Sequence, residues 1–509
     1  MRNTANIYIF ATETDFCHAA LHTHITNKHT MLFNSLEYLI FLPIVFILYW
    51  FVFKKREWQN LLIVIASYYF YGCWSWKFLL LIAFTTFTSY LSGVLIEKYE
   101  GKRVLQKIAC AANIIINIGI LCIFKYYNFF AQNLADMFAI AGIQLNWVTL
   151  DVILPVGISF YTFQALSYTI DIYQHKFKAT KHIVSFFAYV SFFPLLVAGP
   201  IDRASNLIPQ FEKARTFSYD KAVDGLRQIL WGLFKKMVVA DNCATAVNAY
   251  FGNYEGYDGF NLFCGGVMFT VQIYCDFSGY SDIALGSARL FGIEAMRNFR
   301  YPFFARDIAE MWRRWHISLT TWFRDYIYIP LGGSRCSKWK VVRNTLIIYL
   351  VSGLWHGANW TFIAWGAFHA ALFIPIILSG NNRKYTNSVA EGRYLPTLKE
   401  LGLMLRTFLL TMFGLIIFRA ETITQAWNYI ARIFTEFTFS SLEHGEKALL
   451  YTAIMLVIEW IYREREHGLQ IKGNGLMKYR TTRWIAYATI IYMILTLSAT
   501  QATFIYFQF

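Results

Sequence analysis

The stretch from Lys77 to Ile96, KFLLLIAFTTFTSYLSGVLI, decides the fold class. Its only charge stands at one edge, and a helix of that length reaches ~30 Å, the thickness of a bilayer's hydrocarbon layer. Only a helix satisfies every backbone N–H and C=O of such a segment without water or a neighbouring strand. Similar runs recur along the chain, from Leu36–Phe53 through Ile108–Phe124, Val152–Tyr173, Ile183–Ala198, Phe260–Cys275, Gly279–Phe291, Thr345–Trp355 and Thr361–Leu378 to Ile485–Phe504. Several are too short to cross unaided. The expectation is an all-α polytopic membrane protein with about eleven transmembrane helices plus re-entrant or interfacial ones.

The 509 residues are 57% hydrophobic and 15% charged, against about 25% charged in a soluble domain. The formal charge of +15 reads as basic loops beside anionic lipid, and no basic tail or reader motif argues for nucleic acid. Lys54, Lys55 and Arg56 place the loop after the first run in the cytoplasm. Basic residues flank Ile183–Ala198 on both sides, which predicts a re-entrant segment. The eight cysteines are scattered without a CxxC pair, so neither a metal knuckle nor a disulfide framework is expected.

Residues 1–30 are polar and hold His18, His22, His24 and His29. They lack the order of a signal peptide, so Met31 is expected to be the working start, with the stretch before it a disordered or over-extended N-terminal extension. Residues 31–509 read as a single membrane domain. Between Met296 and Arg343 ten basic residues face three acidic ones among many tryptophans and tyrosines, a composition suited to the headgroup zone.

Polar groups inside apolar runs are the natural candidates for chemistry, because their burial is costly. His356 leads, in SGLWHGANW at 352–360. Gly353 and Gly357 allow close approach of another backbone or a substrate, and Asn359 offers a donor and an acceptor. His316 lies in EMWRRWHISLTTWFRDYIYIPLGGSR at 310–335, where a continuous helix would put Trp312, His316 and Leu319 on one face. For both histidines the residues alone leave two readings open, a working group or an imidazole satisfied by its neighbours. Asp276 and Asp282 read as helix ties to arginine partners, Asp202 and Arg203 as a pair at a helix start, and residues 330–335 as a weak anion nest. No metal-ligand spacing and no GxSxG elbow occurs.

Taken together, DFSGYSDIALG at 276–286, NFRYPFFARDIAEMWRRWHISLTTWFRDYIYIPLGG at 298–333 and SGLWHGANWTFIAWGAFH at 352–369 resemble the membrane-bound O-acyltransferase superfamily. The likeness is closest to its alginate O-acetyltransferase branch, and covers essentially Met31 to Phe509. The resemblance implies a ring of tilted helices around a thin central tunnel, with His356 essential and His316 supporting it. It further implies a bacterial inner-membrane enzyme that takes an acetyl group from a cytosolic thioester, acetyl-CoA, with no permanently bound cofactor. The acceptor would be a hydroxyl of an exported polysaccharide, or a periplasmic or surface acetyltransferase partner that relays the group. Burial favours a neutral imidazole, so His356 would accept the acceptor's proton. Asn359 or Trp355 would orient the ring or stabilise the oxyanion. His316, Trp312, Arg313, Arg324, Asp325 and Tyr326 would line the thioester path, arginines facing phosphates. A transporter or flippase of an envelope precursor is the rival reading, although matched inverted halves are not visible.

Overall fold

The computed structural model describes residues 31–145, 149–150, 153–197, 199–471 and 478–507, and every regular element among them is helical. The N-terminal extension, residues 1–30, lies outside the described residues. Nine helices come first: α1 (Leu36–Ile47), α2 (Arg56–Gly72), α3 (Leu79–Lys98), α4 (Arg103–Leu121), α5 (Tyr127–Ile140), α6 (Ile158–Tyr173), α7 (Ile183–Ser191), α8 (Phe193–Leu196) and α9 (Ala204–Glu212). The middle of the chain forms α10 (Tyr219–Leu233), α11 (Asp241–Gly252), α12 (Gly259–Leu290), α13 (Ile308–Arg314) and α14 (Ile317–Phe323). Then come α15 (Lys338–His356), α16 (Trp360–Leu378), α17 (Leu398–Arg419), α18 (Ile423–Thr435), α19 (Glu446–Ile461) and α20 (Arg480–Leu497). Four helical stretches among the described residues are long and apolar enough to cross a membrane: Trp76–Lys98, Arg103–Ile140, Trp360–Leu378 and Leu398–Arg419.

The run read as two segments, Phe260–Cys275 and Gly279–Phe291, is one helix of 32 residues. Asp276 does not end it, because Lys236 pairs with that carboxylate at 2.7 Å. A satisfied charge has no need of solvent, so the helix continues through it. The partners of the two acids are lysines rather than the expected arginines: Lys235 holds Asp282 at 2.6 Å, and Lys236 also reaches Asp241 at 2.8 Å.

α12 is almost wholly buried, and α10 lies directly against it. Gly225 faces the Gly286 carbonyl and Gly232 the Gly279 carbonyl, so each pair of glycines, seven residues apart, brings the two backbones together. Small residues on one stripe are what permit such contact between membrane helices.

Ile183–Ala198 breaks at Phe192 into α7 and the four-residue α8, whose first turn holds Pro194. Proline fits a helix start but not its interior, and the Phe193 N–H freed by the break donates to Ser67 Oγ at 3.0 Å.

The region 296–343 is less superficial than its composition suggests. Arg306 and Arg314 are buried on Glu310, at 3.0 and 2.7 Å, and Arg306 also donates to the Asn387 carbonyl at 2.8 Å. Arg463 donates to the Val389 and Ala390 carbonyls at 2.9 and 2.7 Å. Guanidinium groups thus satisfy an irregular stretch of backbone packed inside the protein.

Candidate active site

The hairpin of α15 and α16 carries His356 at its turn. Gly353 lies against the Phe362 carbonyl, Gly366 against the Tyr349 carbonyl, and Gly357 against the Phe362 ring. The room those glycines leave is therefore filled by the chain itself and lets two helices close on each other. Asn359 caps α16, its Oδ1 accepting from Thr361 N at 3.0 Å, while its amide donates to the Glu421 carbonyl at 3.0 Å.

A helix that stops at His356 leaves its last carbonyls without intrahelical donors. They are met by the wide π-helical turn Cys122–Tyr126 between α4 and α5. Lys125 Nζ donates to the carbonyls of Trp355 (2.7 Å) and His356 (3.0 Å), and Tyr126 Oη donates to that of Leu354 (2.9 Å). A cation at a helix C-terminus also complements the macrodipole.

The His356 imidazole is 6% exposed, and its Nδ1 has no hydrogen-bond partner. The rings of Trp355, Trp365, Phe418 and Tyr506 surround it, with centroids 5.0, 5.1, 5.2 and 5.7 Å away. Beside it lies a cavity of about 40 Å³ lined by Lys125, residues 154–160, Trp355, His356 and Tyr506. A space of that size takes a few waters or a small polar group.

His316 reaches the same aromatic cluster from another direction, 5.9 Å from Trp355 and 6.2 Å from Tyr506. The helix expected to carry Trp312, His316 and Leu319 on one face is broken: α13 ends at Arg314, and His316 takes a left-handed conformation (φ 42°, ψ 54°) before α14. Asn298 holds the break. Its Oδ1 accepts from Ser318 N (3.3 Å) and Ser318 Oγ (3.0 Å), and its carbonyl accepts from Ile317 N (2.8 Å). Because that Oδ1 can only accept, His316 Nδ1 is the donor at 3.1 Å, which assigns the neutral ring's free lone pair to Nε2. Nε2 is buried and unpartnered.

Tyr506 stands between the two histidines because the C-terminal segment is tied to the buried charges. Asp276 Oδ2 accepts from Ile505 N at 2.7 Å, and Lys236 Nζ donates to the Ala502 carbonyl at 3.0 Å. A third buried histidine, His369, has its Nδ1 unpartnered and lies 5.1 Å from both Trp312 and Trp365.

The structure thus brings His356, His316 and Trp355 together, with Trp312 one ring further off. The other candidates engage elsewhere. Arg313 donates to the carbonyls of Asn382 and Tyr385, and Arg324 pairs with Asp325 at 2.7 Å. Asp325 also meets Arg203 at 3.4 Å, whose guanidinium lies 4.7 Å from the Tyr326 ring. Rings in contact lead back from there: Tyr326 to Trp322 (4.9 Å), Trp322 to Phe163 (3.9 Å) and Phe163 to Trp355 (5.9 Å). Asp202 and Arg203 do form the expected pair at the start of α9, Asp202 Oδ1 accepting from Arg203 N at 2.7 Å. Lys125, Asn298, Tyr506 and His369 were not singled out from the sequence. Lys125 and His369 left a trace there, a lone lysine among the apolar residues of IFKYYNFF at 123–130 and a lone histidine in the apolar run Thr361–Leu378.

Residues 178–405 match the profile of MBOAT, the membrane-bound O-acyltransferase family. The chain is 36% identical over 430 residues to the "Probable alginate O-acetylase AlgI" of Azotobacter vinelandii, covering 84% of this chain and 83% of that one. It is 34% identical over 501 residues to the protein of the same name from Pseudomonas putida, covering 94% of this chain and all of that one (100%). To the peptidoglycan O-acetyltransferase of Helicobacter pylori it is 28% identical over 531 residues, covering 94% and 98% of the two chains. The chain belongs to the membrane-bound O-acyltransferase family. It is a membrane-bound acyltransferase, and the transporter reading gives way to that class.

Proposed function

We propose that this acyltransferase moves an acetyl group from acetyl-CoA on the cytosolic side to a hydroxyl on the outer side of a bacterial inner membrane. The acceptor is an exported or cell-envelope polysaccharide, or a periplasmic or surface transferase that relays the group to it. About eleven spans then enclose the tunnel in which donor and acceptor meet. The observation that carries this reading is the buried His356, with an unpartnered Nδ1 beside a small cavity, in a chain of this family.

In the proposed reaction His356 takes the acceptor's proton as its oxygen attacks the acetyl carbonyl. The C–S bond then breaks, and the proton passes to the departing thiolate to leave free coenzyme A. Trp355 Nε1, a donor only and also buried without a partner, suits the oxyanion better than Asn359, whose amide is engaged at the α16 cap. His316 Nε2 supplies a second acceptor beside the same rings. Trp312, Tyr326 and Asp325 flank the donor's path, together with Arg313 and Arg324, whose present partners must be exchanged for phosphate if they contact the donor.

The test is His356→Ala in cells whose surface glycans are analysed by mass spectrometry. The variant is expected to insert and fold but to leave the glycan without O-acetyl groups. Acetylation at the normal level would sink the assignment of the base.

A further inference from the structure

Away from the histidines, a cavity of about 320 Å³ opens between the end of the first helix, the 213–218 loop and the C-terminal end of α12. Its lining includes Lys213, Arg215, Lys221 and Arg289 and not one acidic side chain. Three nearby acids are paired with its basic residues, Glu294 with Lys221 at 2.5 Å and Asp224 (2.7 Å) and Glu466 with Arg289, and Asp220 stands in the first turn of α10. Lys213 and Arg215 have no acidic partner among the described residues.

Arg215 is built into the wall. It donates to Asn60 Oδ1 at 2.6 Å and to the Gln210 carbonyl at 3.3 Å, and its guanidinium lies 5.5 Å from the Tyr49 ring. It also donates to Gln59 Oε1 at 3.4 Å, and its Nε is buried with no acceptor. Ser218 and Lys221, which begin α10, also line the space, so the positive end of a 15-residue helix borders it. Trp50 and Phe217 pack at its edge with centroids 5.5 Å apart, and Phe217 is half exposed, an arrangement typical of headgroup level.

We propose that this cavity is a phosphate-binding site, taking a phosphomonoester or phosphodiester group presented at the basic end of the helix bundle. The volume suits a headgroup or nucleotide rather than a bare ion. An anionic lipid of the adjoining leaflet and a soluble nucleotide share this chemistry.

The experiment uses the whole protein and two probes. In one arm, protein from phosphatidylcholine nanodiscs doped with phosphatidylglycerol is examined by native mass spectrometry for retained phosphatidylglycerol. In the other, adenosine 3′,5′-bisphosphate is titrated calorimetrically. Lys213→Gln combined with Lys221→Gln, both exposed lysines, and separately Arg215→Gln are compared with the parent, with ligand-free melting as the control for folding. The expected result is binding of one probe that weakens about tenfold in the variants and falls with added salt. Selective loss of the lipid identifies a headgroup site, and selective loss of the nucleotide identifies a soluble ligand. The proposal is overturned if the parent binds neither probe, or if the variants bind as the parent does. Neither arm depends on acyl transfer, so its outcome is separate from that of the His356 test.

Discussion

Replacing Lys125 by methionine keeps most of the length of the side chain and removes the ammonium that holds the end of α15. Two carbonyls, those of Trp355 and His356, lose donors at 2.7 and 3.0 Å in a place where water has little access. Each buried carbonyl left unsatisfied costs about 1–3 kcal/mol, and methionine recovers part of that by not burying a charge. The net destabilisation expected is about 2–3 kcal/mol. The effect on turnover should be larger in proportion, because the same carbonyls fix the residue proposed as the base. A displacement on the order of 1 Å at a reacting group costs about 10²-fold in rate. Purified protein in detergent would be followed by scanning fluorimetry and by release of coenzyme A from acetyl-CoA, with kcat and KM separated. The reasoning predicts a fall mainly in kcat and partial recovery in Lys125→Arg. A Lys125→Met enzyme with unchanged melting and unchanged kcat would refute the claim that Lys125 positions His356.

Other parts of the structure make their own predictions. Lys236→Met strands Asp241 and Asp276 in the interior, and should lower stability by about 3–5 kcal/mol. The same variant carrying Asp241→Asn and Asp276→Asn should recover part of that loss, read as the yield of monodisperse protein. Gly279→Leu drives a side chain into the Gly232 carbonyl, and should abolish accumulation of folded protein, whereas Gly119→Leu, with open space around it, should not. Tyr506→Ala removes the ring shared by His316 and His356 and leaves a cavity among the rings packed on it, and should reduce both coenzyme A release and melting temperature, while Tyr506→Phe keeps most of both. Asn298→Leu takes away the acceptor that fixes the His316 tautomer, and should lower kcat while preserving membrane insertion, measured by turnover in purified membranes.

Much of this molecule is legible one segment at a time. The Lys77–Ile96 run is helical, and long and apolar enough to cross a membrane, because its own composition leaves no other solution in a bilayer. His356 and His316 stand out because a polar group within apolar surroundings is conspicuous even without coordinates. The expectations that failed are those in which a distant residue changes the local outcome. Asp276 looks like a boundary until Lys236, on another element, neutralises it, and α12 then runs on. The helical face of Trp312, His316 and Leu319 dissolves because Asn298 offers the backbone and the imidazole better partners in a left-handed turn.

The sequence by itself determined the class of structure and the family and singled out two histidines as candidates, since apolar length, basic loops and local motif spacing can each be read within a single segment. Only the tertiary structure decided what surrounds those histidines. Lys125 comes from more than two hundred residues before His356, and Tyr506 from the far end of the chain. Their proximity is set by long-range hydrogen bonds and ion pairs whose partners cannot be matched from spacing alone. The glycines of SGLWHGANW illustrate the division. Their presence signals that something must come close, and the fold reveals that what comes close is the next helix.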